Sequence, residues 1–320
     1  MARILAFGEA LIDFAAQPPG AAEQGICYLR QAGGAPFNFA VACQRFGHET
    51  TFLGKVGADA LGRFLLDTGR SQGLDMAYCI EDPQYFTTLA FVSLDAQGER
   101  DFSFARKPGA DSQLRREEID LSCLEGRNIL HAGALSLSAE PCKTALEALA
   151  TEARQRRLLI SFDANYRAEL WPSSEAYRHT LLAFLPFVDL LKVSREEACL
   201  LSGEEDPQLA RSFLLSQGPR LLAWTDGEAG SVLQSESCTE RLAARKWGKT
   251  LDTTAAGDCY FAALLSRLLH LPEPLQAGAA ELRSAGAFAA MAAAISVTRL
   301  GGIASLPAEA EVLEALEVLG

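Results

Sequence analysis

The chain reads as an α/β protein: a doubly wound, mainly parallel sheet flanked by helices, with a small β-sheet lid. Three observations predict this. Short apolar, β-branched runs alternate with helix-patterned segments through most of the 320 residues. The runs read as buried strands, which a parallel sheet covers with helices on both faces. Two early segments differ, showing the period-two alternation of antiparallel strands.

In chain order, the buried strands are "RILAFG" (3–8), "TTFLGKVG" (50–57), "NILHAGALSL" (128–137), "LLISFDAN" (158–165), "DLLKVS" (189–194) and "RLLAWTDG" (220–227). Between them lie helix-like segments such as 139–157 and 173–185. The alternating segments are "GICYLRQAGG" (25–34) and "TTLAFVSLDAQGERDFSFAR" (87–106), where "DAQG" supplies hairpin turn chemistry. An accessory sheet built from about 10–33 and 85–107 is the expected lid. "AGAFAAMAAAISV" (285–297) is Ala-rich and too short to span a bilayer, and reads as a packed helix. No internal repeat or linker interrupts the chain, so a single domain over 1–320 is expected.

A net charge of −12 and a pI near 4.9 argue against a broad electrostatic footprint for nucleic acid or anionic lipid. Any bound anion must be held locally, by backbone amides and a few placed cations. The start "MARILAFGEALIDF" lacks the pattern of a signal peptide, and the eight cysteines show no C-x-x-C spacing. Reduced thiols, a cytoplasmic location and no membrane span are therefore expected. "GKT" (248–250) is no P-loop, because Ala243 stands where its first glycine belongs and "TERLAARKW" (239–247) before it reads as a strand. No strand end carries the G-x-G-x-x-G of a dinucleotide site.

The stretch "DTTAAGDCYFAALL" (252–265) carries the chemistry. Ala255, Ala256 and Gly257 lack bulk, so a phosphate can approach their backbone N–H groups. A helix follows and points its positive dipole end at the same place. The competing reading is that Asp252 and Thr254 merely cap this helix. A carboxylate beside a bound anion makes sense if it works: Asp258 takes a proton from a substrate hydroxyl while the amides stabilise a transferring phosphoryl group.

"DTTAAGD" resembles the C-terminal signature D-T-x-G-A-G-D of the ribokinase-like (PfkB) carbohydrate kinases, with Ala255 in place of the first glycine. The resemblance implies Asp258 as catalytic base and the amides of Ala255, Ala256, Gly257 and Asp258 as anion hole. "GGAPFNFAVACQRFG" (33–47) is similar to the family's N-terminal sugar signature, implying sugar contacts from Gly33, Gly34 and Asn38, joined by Asp13 of "GEALIDF". On its own, "GGAPFN" also reads as a turn and helix start. "KVSREE" (192–197) resembles the family's N-x-x-E, with Ser194 at the asparagine position and Glu197 kept; this implies a water-mediated link to magnesium and phosphate. A capped surface helix is the alternative there.

"WTDGEAGS" (224–231) resembles the nucleotide-side turn T-x-G-x-x-G, implying Thr225, Gly227 and Gly230 near ATP; a plain glycine turn fits as well. "ISVTRLGGIASLP" (295–307) resembles the loop of the family's monovalent cation site, implying Asp252, Thr254, Gly301 and Ser305, largely through carbonyls. Arg106 and Arg167 fall where relatives contact the sugar or its acidic group, although a lone arginine is more often an ion-pair partner. "HAGALSL" (131–137) is similar to bacterial fructokinases, with its histidine read as a satisfied strand-end residue. The implied activity is an ATP-dependent sugar kinase needing Mg²⁺ and using K⁺, with fructose giving fructose 6-phosphate. 2-Keto-3-deoxygluconate kinase is the alternative within the fold, and a non-catalytic sugar or nucleotide sensor the alternative outside it. A homodimer paired through the lid is also expected.

Overall fold

The computed structural model describes residues 1–16, 27–94 and 100–319. Along the chain, β1 (Arg3–Phe7) is followed by β2 (Leu11–Ala16), β3 (Tyr28–Gly33), α1 (Ala35–Arg45), β4 (Glu49–Gly57), α2 (Ala60–Ser71) and β5 (Cys79–Asp82). Then come β6 (Leu89–Leu94), β7 (Arg100–Ala105), β8 (Ile129–Gly133), α3 (Cys142–Gln155), β9 (Leu159–Asp163) and α4 (Ser174–Phe184). β10 (Leu190–Ser194), α5 (Arg195–Ser202), α6 (Pro207–Ser216), β11 (Leu221–Thr225), β12 (Ser231–Ser235) and β13 (Thr239–Leu242) lead into α7 (Ala256–Leu268). α8 (Ala279–Ser296), α9 (Gly302–Ser305) and α10 (Glu309–Leu319) close the chain.

Nine strands form one sheet in the order β13-β12-β11-β10-β9-β8-β1-β4-β5. From β5 to β11 neighbours are parallel, while β12 and β13 are antiparallel additions at one edge. The chain winds outward from β1 through β4 to β5, then restarts at β8 on the other side of β1. That reversal opens a crevice at the carboxyl ends of the strands, where open α/β sheets bind ligands.

Strand side chains alternate between two cores. Ile4 and Ala6 of β1 face one, with Phe37, Phe261 and Phe288 from α1, α7 and α8. Leu5 and Phe7 face the other, with Leu146, Tyr177 and Leu214 from α3, α4 and α6. Each fully buried large side chain contributes about 1.5–3 kcal/mol relative to exposure. Alanines along α8 bring it close against α7, placing the start of α7 over the strand ends.

Four strands make the separate small sheet, ordered β3-β2-β6-β7. The β2/β3 and β6/β7 pairs are antiparallel, as the alternation implies, but β2 and β6 pair in parallel, with Ile12 opposite Leu89. The two hairpins are separated in the chain by β4 and β5 of the main sheet, so they meet side by side rather than as one meander. The "DAQG" turn (95–98) and the first two residues of "GICYLRQAGG" lie outside the described residues. Two apolar runs stop short as strands. β8 ends at Gly133, and Ala134–Leu137 form a 3-10 turn whose side chains are all buried; their apolar character reflects that burial. The run 239–247 holds a strand over Thr239–Leu242 alone.

Candidate active site

Helix α7 begins at Ala256, and its N-cap, Ala255, supplies no side-chain hydrogen bond. Neither Asp252 nor Thr254 occupies the N-cap position. Asp252 Oδ1 accepts from the Thr254 N–H (2.8 Å) and Oγ1 (2.6 Å), and its Oδ2 accepts from the Gly301 N–H (2.8 Å). The acid thus ties the loop before α7 to the loop before α9. From the first turn of α7, Gly257 and Asp258 line a cavity of about 460 Å³, together with Thr253, Lys192 and Glu197. Uncapped amides and the helix dipole favour an anion there.

Asp258 is buried and accepts a hydrogen bond from Asn38 Nδ2 at 2.9 Å. Burial pushes its carboxyl up to about 7, and the Asp163 anion adds to the rise. The Asn38 hydrogen bond, Lys192 and Arg167 oppose it. A carboxyl near 7 is matched to proton transfer at neutral pH.

Two of its neighbours carry no role in the sequence reading. On the α7 face of the sheet, the residues turn polar toward the carboxyl ends. His131 and Ser161 are register partners joined Nδ1 to Oγ at 3.0 Å, and Asp163 and Lys192 are the next such pair. Lys192 Nζ donates to Asp163 Oδ1 at 2.9 Å and Oδ2 at 3.0 Å. Burial works against the ammonium, yet Asp163 and Glu197 outweigh it and hold the lysine above its ordinary range. The signal was available: "LLKV" and "ISFD" set charges inside apolar strands, where a charge is costly unless paired.

Among the residues expected to contact a sugar, Asp13 of β2 lies against Gly33 of β3, where any Cβ would overlap the Asp13 carboxylate. Gly34 has φ +106, and a Cβ there would strike the Glu9 carbonyl oxygen. Asn38 Oδ1 and Glu9 Oε2 are buried acceptors with no hydrogen-bond partner among the described residues. Unpaired buried acceptors are rare and point to a ligand. Burial raises the Glu9 carboxyl to about 8, and its Oε1 accepts from the Ala35 N–H at 3.2 Å. The sequence reading missed Glu9, whose burial depends on α1 folding over it.

Arg167 lies on the cavity wall, with Nη1 donating to the Tyr166 carbonyl at 2.8 Å. Arg106 is held differently: Nε donates to Asp111 Oδ2 at 2.7 Å and Nη1 to Ser138 Oγ at 3.0 Å, with both charged groups buried. This is the ion-pair alternative, although in the interior rather than at the surface. His131 is buried and stacked on Phe39 with ring centroids 3.5 Å apart. Its surroundings are those of a core histidine.

Among the residues expected near magnesium and the nucleotide, Ser194 and Glu197 form a capping box at the start of α5: Ser194 Oγ accepts from the Glu197 N–H (3.2 Å), and Glu197 Oε2 from the Ser194 N–H (2.7 Å). Glu197 Oε1 also accepts from the Tyr166 N–H at 2.8 Å. The carboxylate is thereby fixed at the cavity edge with lone pairs to spare. Thr225 is the register partner of Ser194, and Gly227 (φ +49) and Gly230 (φ +96) shape the turn that follows. Gly301, also at positive φ (+90), receives the Asp252 brace, and buried Ser305 donates to the Gly302 carbonyl at 2.8 Å. Among the described residues, no group of three or more His, Cys, Asp or Glu side chains could hold a metal ion.

Of the expected residues, Arg167, Ser194, Glu197, Thr254, Gly257 and Asp258 line the cavity at the start of α7, and Asn38 donates to Asp258, whereas Gly230 lines a separate one. The chain is similar to known proteins along nearly its whole length. The chain is 37% identical over 318 residues to fructokinase-1 of Zea mays, covering 98% of this chain and 97% of that protein. The crystal structure of a fructokinase from Xylella fastidiosa with bound ATP superposes with a TM-score of 0.87 at 31% identity, covering 99% and 98% of the two chains. A fructokinase double mutant from Vibrio cholerae O395, in a fructose-, ADP- and potassium-bound form, gives 0.88 at 28% identity and 98% of both chains. The profile described as "pfkB family carbohydrate kinase" matches residues 1–309. The chain belongs to the pfkB family of carbohydrate kinases.

Proposed function

We propose that this kinase transfers the γ-phosphoryl group of ATP to the primary hydroxyl of fructose, giving fructose 6-phosphate. One observation carries the reading: Asn38 Nδ2 donates to Asp258 Oδ2 at 2.9 Å at a helix start without a side-chain cap, which supports taking the amide as a sugar contact and the carboxylate as the base. The relatives support fructose, since proteins 36–37% identical to this chain are named fructokinases and one neighbouring structure holds fructose, ADP and potassium.

In this reading Asp13, Gly33, Gly34 and Asn38 hold the sugar hydroxyls, with Arg167 and the Asp111-braced Arg106 on the same side. Asp258 takes the hydroxyl proton. The amides of Ala255, Ala256, Gly257 and Asp258 receive the charge that develops on the phosphoryl oxygens. Magnesium neutralises phosphate charge when bound, and Glu197, with Ser194 beside it, is positioned to meet its water shell. Thr225, Gly227 and Gly230 border the nucleotide. Asp252, Thr254, Gly301 and Ser305 order the carbonyls of a potassium site. We further propose a cytoplasmic enzyme, supported by eight unbridged cysteines, and a homodimer joined through the lid edge at β3, where Tyr28 and Leu29 are exposed.

The test is ADP release, with Mg²⁺ and K⁺, over fructose, ribose, 2-keto-3-deoxygluconate and aminoimidazole riboside. Fructose should give the highest kcat/KM. A higher value for 2-keto-3-deoxygluconate would replace the sugar while leaving the kinase chemistry, and absence of turnover with every sugar would favour a sensor.

A further inference from the structure

Arg211 of α6 is only 3% exposed, yet no counter-ion meets it. Its Nε donates to Gln234 Oε1 at 2.9 Å, and the guanidinium lies over the Trp224 ring, 5.4 Å from the centroid. Among the described residues its terminal nitrogens form no hydrogen bond or ion pair. A second cation stands beside it. Trp224 of β11, Val232 of β12 and Arg241 of β13 are successive register partners, so Arg241 faces the same side of the sheet as Trp224. Burial, and then the Arg241 charge, pull the Arg211 guanidinium below its ordinary range. A buried cation is costly unless an opposite charge meets it.

The two arginines, with Trp224, Pro207 and Val232, line a pocket of about 270 Å³ that shares no residue with the cavity at α7. Trp224 and Val232 belong to the core on the other face of the sheet. Asp226 borders the pocket too, with its carboxylate drawn toward Arg195 of α5 at 3.5 Å. Two guanidinium groups thus face one carboxylate that already has a partner, in a chain whose net charge is −12.

We propose that this pocket binds a small phosphate monoester, its phosphate held between Arg211 and Arg241 and its organic part against Trp224 and Pro207. A guanidinium offers paired N–H donors to two phosphate oxygens and stays charged near neutral pH. A phosphate dianion answers two cations at once, and the apolar wall suits a short carbon body. The site goes beyond the kinase reading and does not depend on it. One consequence does rest on that reading: Asp226, Ala229 and Gly230 form a wall of the pocket, and we assign the same turn to ATP, so occupancy should change the KM for ATP.

Calorimetric titration with glycerol 3-phosphate tests the site, with glycerol as the uncharged control and the catalytic crevice filled by fructose, Mg²⁺ and a non-hydrolysable ATP analogue. Wild type should bind one glycerol 3-phosphate per chain and no glycerol. Arg211→Met and Arg241→Gln should each weaken binding by about 10–100-fold, the range for a charge-assisted hydrogen bond, while kcat without the ester stays that of wild type. Arg241 is exposed, so Arg241→Gln serves where Arg211→Met fails to fold. The proposal is overturned if wild type does not bind the ester, or if Arg241→Gln binds it as tightly as wild type. Glycerol 3-phosphate should also change the wild-type KM for ATP more than that of Arg241→Gln; equal changes would mean competition in the crevice and remove the link to the turn. Sugar-dependent ADP release by wild type is measured alongside. Its absence would remove the kinase reading and leave the binding result standing.

Discussion

At the scale of single residues, Asp258 ties activity to stability with opposite signs. Its carboxyl is raised from 3.8 to about 7, chiefly by burial. A base must be ionised, so kcat/KM should fall about tenfold per pH unit below 7. Folding responds in the other direction. Between pH 3.8 and about 7 the folded protein keeps a proton that the unfolded chain gives up, so the stability present below that window is lost as pH rises through it. The full loss is about 4 kcal/mol at 1.36 kcal/mol per unit. Asp258→Asn should therefore abolish most turnover yet melt higher than wild type at pH 8, with the two converging near pH 4. Thermal melts at both pH values check this, and equal melting temperatures at pH 8 would show that the carboxylate is not buried as described.

At the scale of elements, the start of α7 is held by a neighbouring loop instead of by its own cap. Asp252 accepts hydrogen bonds from Thr254 and, across 49 residues of chain, from Gly301. Hydrogen bonds to a charged group are each worth about 1.5–3 kcal/mol. Asp252→Ala should therefore destabilise the protein by several kcal/mol and erase any preference of the rate for K⁺ over Na⁺. Denaturant titrations and rates in the two salts test both effects; a variant that keeps its potassium preference would show that this brace does not order the cation loop. The element was legible in "DTTAAGD" because small residues and an acid at a helix start are local chemistry. "KVSREE" was likewise legible as a capping box, since serine and glutamate three apart satisfy each other's amides. What stayed hidden was pairing. Nothing in "LLISFDAN" or "DLLKVS" says that Asp163 lies opposite Lys192, because register is fixed by the sheet as a whole. The parallel junction of β2 with β6 was hidden for the same reason, and Arg106 could not be matched to Asp111 until the lid strand β7 was in place.

At the scale of the whole molecule, β3 is the last strand at one side of the small sheet among the described residues, and its Tyr28 and Leu29 are exposed. Soluble proteins cover such edges. If a second copy covers this one, Leu29→Glu should convert a dimer to a monomer in sedimentation equilibrium and raise the sugar KM, because Asp13 lies in the adjoining strand. An unchanged mass would place the dimer contact elsewhere or exclude it.

The Asn38–Asp258 bond joins residues 220 positions apart, on α1 and α7, and those helices share one core. The proposed base and the proposed sugar-binding asparagine are therefore carried on helices packed in one core, while Asp13 belongs to another sheet. For descent with modification, this is a division of labour. Mutations that reshape the lid can retune which sugar is admitted without displacing the base, so a lineage can explore new substrates while its phosphoryl-transfer chemistry stays intact.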